Sequence, residues 1–154
     1  MPQTLEARVE QSGPSSAIAI VRTHRVPVDR PLDKGGTDTG PLGGEYLLVA
    51  LGGCFMSNLL AAIRARAATS GGVGEDSKSD EVKDVSVALT AVLEGHPNRV
   101  VAMSMTVRAT GVDRETLEKL VEIAGRACIV TNTLKLAVPI AVTCEARPAG
   151  AAAL

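Results

Sequence analysis

Aromatic side chains are almost missing from this chain: one Phe, one Tyr and no Trp in 154 residues. That nearly excludes base-stacking surfaces and interfaces led by Trp or Tyr. The core has to be built from Leu, Val, Ile, Ala and Met. An excess of one charge is missing too, since 16 Lys and Arg stand against 17 Asp and Glu for a net charge of −1. A nucleic-acid partner would normally demand a basic footprint, so none is expected. No uninterrupted run of about 20 apolar residues occurs, and no membrane span is expected. The opening residues from Met1 to Arg8 lack the charged start and apolar stretch of a signal peptide. The three cysteines, Cys54, Cys128 and Cys144, lie far apart with no C-x-x-C spacing. An odd number without an export signal favours reduced thiols and a cytoplasmic location over a disulfide framework. His24 and His96 are isolated, so neither a metal site nor a catalytic histidine is expected.

What remains is an ordinary globular composition, 45% hydrophobic and 21% charged. The length fits one domain over residues 1–154, large enough to bury a core without staples. No internal repeat is present. Thr4–Gln11 alternates apolar and polar residues as a half-buried strand would, and Ala17–Val28 is a second extended run rich in Ile and Val. Residues 29–44 form a long Gly-rich loop with Gly35, Gly36, Gly40, Pro41, Gly43 and Gly44, and loops of that length are often functional. The loop empties into a helix over Glu45–Ala68 whose first half is nearly all apolar. A helix apolar on every face is buried on every face, which predicts cover from a second copy of the chain and hence a homodimer. Residues 69–81 read as a flexible linker and 148–154 as a loose tail.

Two alternating strands follow, Val82–Glu94 and Arg99–Thr110, joined by a Gly-His-Pro-Asn turn. Asp113 is a good N-cap for a helix whose Leu117, Leu120, Val121 and Ala124 fall on one face. Cys128 extends that stripe. A short helical turn with Thr131 as its cap and Pro139 at its end precedes a last strand carrying Ile140, Val142 and Cys144. The order is β-β-α-β-β-α-β, an α+β layout with antiparallel strands and a long buried central helix.

The cysteines are not equivalent. Cys144 shares a strand face with Ile140 and Val142 and reads as a small core residue. Cys54 follows Gly52-Gly53 inside a helix, where each Gly costs on the order of 1 kcal/mol relative to Ala. Either close packing or an approaching ligand accounts for that pair, leaving Cys54 open between an inert thiol and a site. Cys128 ends a core-facing stripe, and its sulfur could meet that of Cys54. Arg30, in the Gly-rich loop, is either a solvated charge or a cation serving a thiolate, with Arg22 and Arg25 as rivals. Glu45 opens the long helix, where a carboxylate suits the macrodipole; a functional role would have it orient the arginine.

The stretch DKGGTDTGPLGGEYLLVALGGC (residues 33–54) resembles the loop-to-helix segment of the osmotically inducible and organic-hydroperoxide-resistance family, OsmC/Ohr. The stretch ACIVTNTL (127–134) resembles that family's second-cysteine segment, usually Cys-Pro-Val-Ser-x-x-Leu. The element order agrees over nearly the whole chain. The resemblance implies the OsmC-type fold as an intertwined homodimer. It implies a thiol peroxidase in which Cys54 is oxidised by an organic or inorganic hydroperoxide and Cys128 resolves the sulfenic acid as a disulfide. A dithiol reductant, lipoyl-type in some members, would restore the pair, and no metal, haem or flavin cofactor is implied. Arg30 and Glu45 would complete the catalytic set. The chain departs from the family pattern where Ile129 replaces the usual proline. Glu45 also stands one residue nearer the cysteine than in the best-known peroxidases, where this chain has Gly44. Two other readings are a non-catalytic binder of a small ligand on the same fold and a redox-responsive dimer that forms the disulfide without turning over.

Overall fold

A computed structural model describes residues 2–70 and 82–148. The chain divides into two compact units, Met1–Val49 and Ala50–Leu154.

The first unit is a three-stranded antiparallel meander, β1 (Arg8–Gln11), β2 (Ala17–Val21) and β3 (His24–Val28). It differs from the expected two-stranded ribbon because the run Ala17–Val28 folds back on itself at Arg22-Thr23. Val21 pairs with His24, and Arg22 takes a left-handed φ of 56°. No Gly, Pro or Asn marks this turn, so the apolar pattern reads straight through it. β1 is shorter than Thr4–Gln11 because its pairing with β2 begins at Arg8 opposite Ile20.

The Gly-rich loop is ordered around one carboxylate. Asp29 is 2% exposed and accepts hydrogen bonds from the Ser15 hydroxyl, the Arg30 N–H, and both the N–H and the hydroxyl of Thr37 and of Thr39. Thr37 above all, with Thr39, Arg30 and Ser15, holds this carboxyl well below the usual carboxylate range against the opposing effect of burial. A carboxylate depressed in this way stabilises the fold above its unfolded value, and that contribution is lost as pH falls through the folded one. Asp29→Asn should therefore accelerate amide exchange at Thr37 and Thr39 at neutral pH and remove the acid dependence of that exchange. Unchanged exchange would show that the loop is held by something else.

α1 (Gly43–Ser70) begins with a capping contact, the Glu45 Oε2 accepting from the Leu42 N–H at 2.7 Å. Its second unit portion buries Leu51, Phe55 and Leu59, spaced by one helical turn each. Within one chain that burial is partial. Val49 is 57% exposed and Leu60 39%. By length and composition alone Gly43–Thr69, with a mean hydropathy of 1.9 in its best window, is long and apolar enough to cross a membrane. A core helix passes that test too, so the expectation of no membrane span is not overturned. Uncharged Gly, Ala, Ser and Cys interrupt the large apolar residues without lowering hydropathy much, so a search for an unbroken run misses this helix. Only 22% of that window is buried within the chain.

The second sheet has the order β4 (Lys83–Glu94), β5 (Arg99–Thr110), β6 (Ile140–Arg147). β4 and β5 form the expected hairpin, with Met103, Met105 and Val107 buried on one face. β6 corrects the all-antiparallel expectation, since it pairs parallel to β5 from Met103↔Ile140 to Thr110↔Arg147. A parallel neighbour needs a crossover, and α2 (Arg114–Ala127) with α3 (Ile129–Leu134) supplies it. Asp113 caps α2 as expected, accepting from the Thr116 N–H at 2.8 Å, and Leu117, Leu120, Val121 and Ala124 are buried. The linker lies outside the described residues from 71 onward, with Thr69 and Ser70 belonging to α1. The tail from 149 lies outside them too.

Candidate active site

Cys54 and Cys128 arrive at one place in the second unit from different elements. Cys54 sits on α1 beside the buried stripe and is half-buried. Its neighbour one turn on, Asn58, donates its side-chain N–H to the Cys54 carbonyl at 2.8 Å and lies 3.9 Å from the Cys54 sulfur. α1 is seated by two close approaches. A Cβ on Gly52 would lie 2.7 Å from the Leu89 Cδ1 of β4, and one on Gly125 of α2 would lie 3.9 Å from the Phe55 Cε2. Gly52 is thus explained by packing, whereas Gly53 faces open space within the chain.

Cys128 is fully buried at the junction of α2 and α3. It, rather than Thr131, caps α3: its sulfur accepts from the Thr131 N–H at 3.4 Å. Burial alone would push this thiol up. The donor groups around the sulfur, those of Thr131 first, then the Cys54 thiol and the Val130 N–H, outweigh burial and bring it below the ordinary thiol value. The Cys54 thiol is thus among the groups that act on the Cys128 sulfur.

Cys144 belongs elsewhere. It lines a cavity of about 420 Å³ with Phe55, Met105, Val121 and Ile140, and neither Cys54 nor Cys128 is among the lining residues. Burial first, and Glu118 second, push its thiol up despite Arg114. A thiol that ionises late is a poor nucleophile. Cys144→Ala should leave the reactivity of the other two thiols toward peroxide unchanged, and a lost or slowed reaction would give Cys144 a chemical role.

Arg30 and Glu45 lie in the first unit. Arg30 is exposed, its backbone fixed on Asp29, beside a polar groove that also holds Gln11, Ser15 and Ser16. Glu45 is engaged with Leu42, and among the described residues no ion pair joins it to Arg30. Arg22 occupies the β2–β3 turn and Arg25 lies on β3 opposite Ile20; both are exposed. Sequence reasoning missed Asp29 and Asn58. The signal for Asn58 was its position four residues after Cys54 on a helix. For Asp29 it was an acid heading a Gly-rich loop that carries two threonines. Among the described residues no cluster of His, Cys, Asp and Glu could hold a metal ion.

A family model described as "OsmC-like protein" matches residues 36–143, well over half of the chain. The chain belongs to the OsmC family. Solved structures agree on the fold. A hypothetical protein from Aquifex aeolicus superposes with a TM-score of 0.76 at 18% identity, covering 95% of this chain and 98% of that one. An organic hydroperoxide resistance protein OsmC from Legionella pneumophila gives 0.64 at 19% identity, covering 93% and 97%. The organic hydroperoxide resistance protein OhrB of Bacillus subtilis gives 0.61 at 14%, covering 93% and 98%. No curated protein matches the sequence of this OsmC-family chain. At these identities the neighbours establish its fold: two small sheets and a long helix.

Proposed function

We propose that this OsmC-family protein is a thiol-dependent peroxidase acting on organic hydroperoxides, and on inorganic peroxide as well. The observation that carries the reading is a half-buried thiol, Cys54, acting on a fully buried one, Cys128, whose pKa it helps to lower. Family membership, and neighbours whose own names refer to organic hydroperoxide resistance, support it. The Cys54 thiolate attacks the terminal peroxide oxygen and the O–O bond breaks. The alkoxide takes a proton and leaves as an alcohol, or water leaves from hydrogen peroxide. Cys54 becomes a sulfenic acid. Cys128 then displaces hydroxide from that sulfur and a disulfide forms. An external dithiol, lipoyl-type or another, reduces the disulfide by exchange. One equivalent of an alkyl hydroperoxide should remove two of the three thiols, with Cys54 and Cys128 linked in the peptide map. Three surviving thiols would end the peroxidase reading.

A developing alkoxide calls for a cation, and we assign that role to Arg30, with Glu45 as its orienting partner. The support is the backbone of Arg30, which Asp29 fixes in place. Arg30→Met should lower turnover by roughly 100-fold, whereas the same change at Arg22 or Arg25 should have little effect. Equal losses at all three would point to general charge rather than a positioned group.

The working form is a cytoplasmic homodimer. Its support is the apolar length of α1, of which so little is buried in one chain: a second copy, rather than a bilayer, is the cover proposed. Sedimentation should give twice the chain mass without detergent. The cavity beside Cys144 favours a second reading, a binder of small aliphatic ligands. In that case Cys54→Ser would keep full ligand affinity.

A further inference from the structure

Thr131 presents an anomaly at the edge of the site. Its hydroxyl oxygen is buried and has no hydrogen-bond partner, the sole such buried side-chain atom among the described residues. Buried polar groups are nearly always paired, so one left over calls for a reason. The reason lies next to it. Cys128 is 0% exposed, and a charged sulfur there has no water to solvate it. Donors must come from the chain itself. The Thr131 N–H already points at that sulfur from 3.4 Å, and a hydroxyl on the same residue with no other partner is the next donor at hand. The titratable group that acts on Cys128 is the Cys54 thiol on α1.

We propose that the Thr131 hydroxyl is a positioning group, a second donor that turns to the Cys128 sulfur when it is charged and holds it for the resolving attack on Cys54. The step it serves rests on the peroxidase reading; the thiol property it sets does not. In that step the Cys128 thiolate attacks the sulfur of the Cys54 sulfenic acid. The S–S bond forms, the S–O bond breaks, and the departing hydroxide takes a proton to leave as water. The two electrons lost by the cysteine pair are those that reduced the peroxide. Thr131 gives up no atom. It donates one hydrogen bond to the sulfur while charged and releases it as the disulfide forms.

The test uses the full chain with Cys54→Ser and Cys144→Ser, so that Cys128 is the only thiol. Its ionisation is followed by thiolate absorbance against pH with Thr131 intact and in Thr131→Val and Thr131→Ser. Loss of one hydrogen bond to a charged group should raise the midpoint by about one pH unit in the valine variant. Serine, which keeps the hydroxyl, should restore it. Thr131→Ala replaces the valine variant if valine does not fold. An unshifted midpoint without the hydroxyl, or a serine variant that titrates like valine, overturns the proposal. In the chain with all three cysteines, Thr131→Val should slow disulfide formation about three- to tenfold, because a less acidic thiol is partly compensated by greater nucleophilicity. Sulfenic acid formation should keep its rate. A wild type inert to peroxide would end the peroxidase reading alone, since the Cys128 titration would still decide the role of Thr131.

Discussion

Cys54→Ser should abolish peroxide consumption outright, and Cys128→Ser should stop the cycle one step later. The two losses differ because the two sulfurs occupy different environments. Cys54 is half-buried and reachable, whereas Cys128 is fully buried. A peroxide can meet only the first. With Cys54 changed to serine, the oxygen nucleophile is far too weak at neutral pH to attack an O–O bond, so the residual rate should be that of the uncatalysed reaction. With Cys128 changed to serine, the first attack remains possible and the product has nowhere to go. The chain should then gain roughly 16 Da as a sulfenic acid trapped before a disulfide can form. Intact mass after one equivalent of hydroperoxide reads both outcomes. If Cys128→Ser lost peroxide reactivity and Cys54→Ser kept it, the order of the two cysteines would have to be reversed.

Phe55→Ala should be the most destabilising single change in the second unit. Phe55 is 1% exposed, lies between Leu51 and Leu59 on the buried stripe of α1, and its ring edge approaches Gly125 of α2. Phe55 is the one Phe of the chain, so no second Phe stands by to fill the space. Truncating a buried Phe costs about 3–5 kcal/mol, against a total domain stability of about 5–15 kcal/mol. For a chain of this size the midpoint of thermal unfolding should fall by roughly 6–20 °C. Phe55→Leu, which refills most of the volume, should recover much of the loss. A fall of less than about 2 °C for the alanine variant would mean that the core closes over the gap, or that α1 is held mainly by contacts beyond this stripe. The ring also bears on the site. It follows Cys54 directly in sequence and seats α1 against α2, the helix that leads into Cys128. The surviving fold of Phe55→Ala should therefore form the Cys54–Cys128 disulfide more slowly than the wild type.

How far the sequence could be read depended on whether each signal was local. The stripe Leu117, Leu120, Val121, Ala124 and the cap at Asp113 are repeated every few residues along one helix, and the structure keeps them unchanged. The β4–β5 hairpin announces itself by a Gly-Pro turn between two alternating runs. The β2–β3 turn does not, because Arg22-Thr23 carries no turn residue and the strands flanking it share one apolar composition. Helix α1 shows what composition leaves open. Its residues are apolar enough to suggest burial all round, yet which face is covered is a property of neighbours and not of the helix itself.

The same division runs through the site. That Cys54 and Cys128 belong together could be read from two short segments, each resembling one half of a family pattern. The family and the mixed α+β fold were legible for the same reason, since both follow from motifs and element order along the chain. Tertiary structure alone decided the rest. It made β6 parallel to β5, because the length of the α2–α3 crossover permits that pairing without dictating it. It turned Asp29 into the centre of a loop by gathering donors from both sides of a Gly-rich stretch. It also set Cys128 apart from the other two thiols, through the Thr131 and Val130 donors and the Cys54 thiol brought to it from α1. Hydrogen bonds and burial act through space. A side chain's acidity is therefore settled by whatever the fold packs against it, and linear order carries only part of that information.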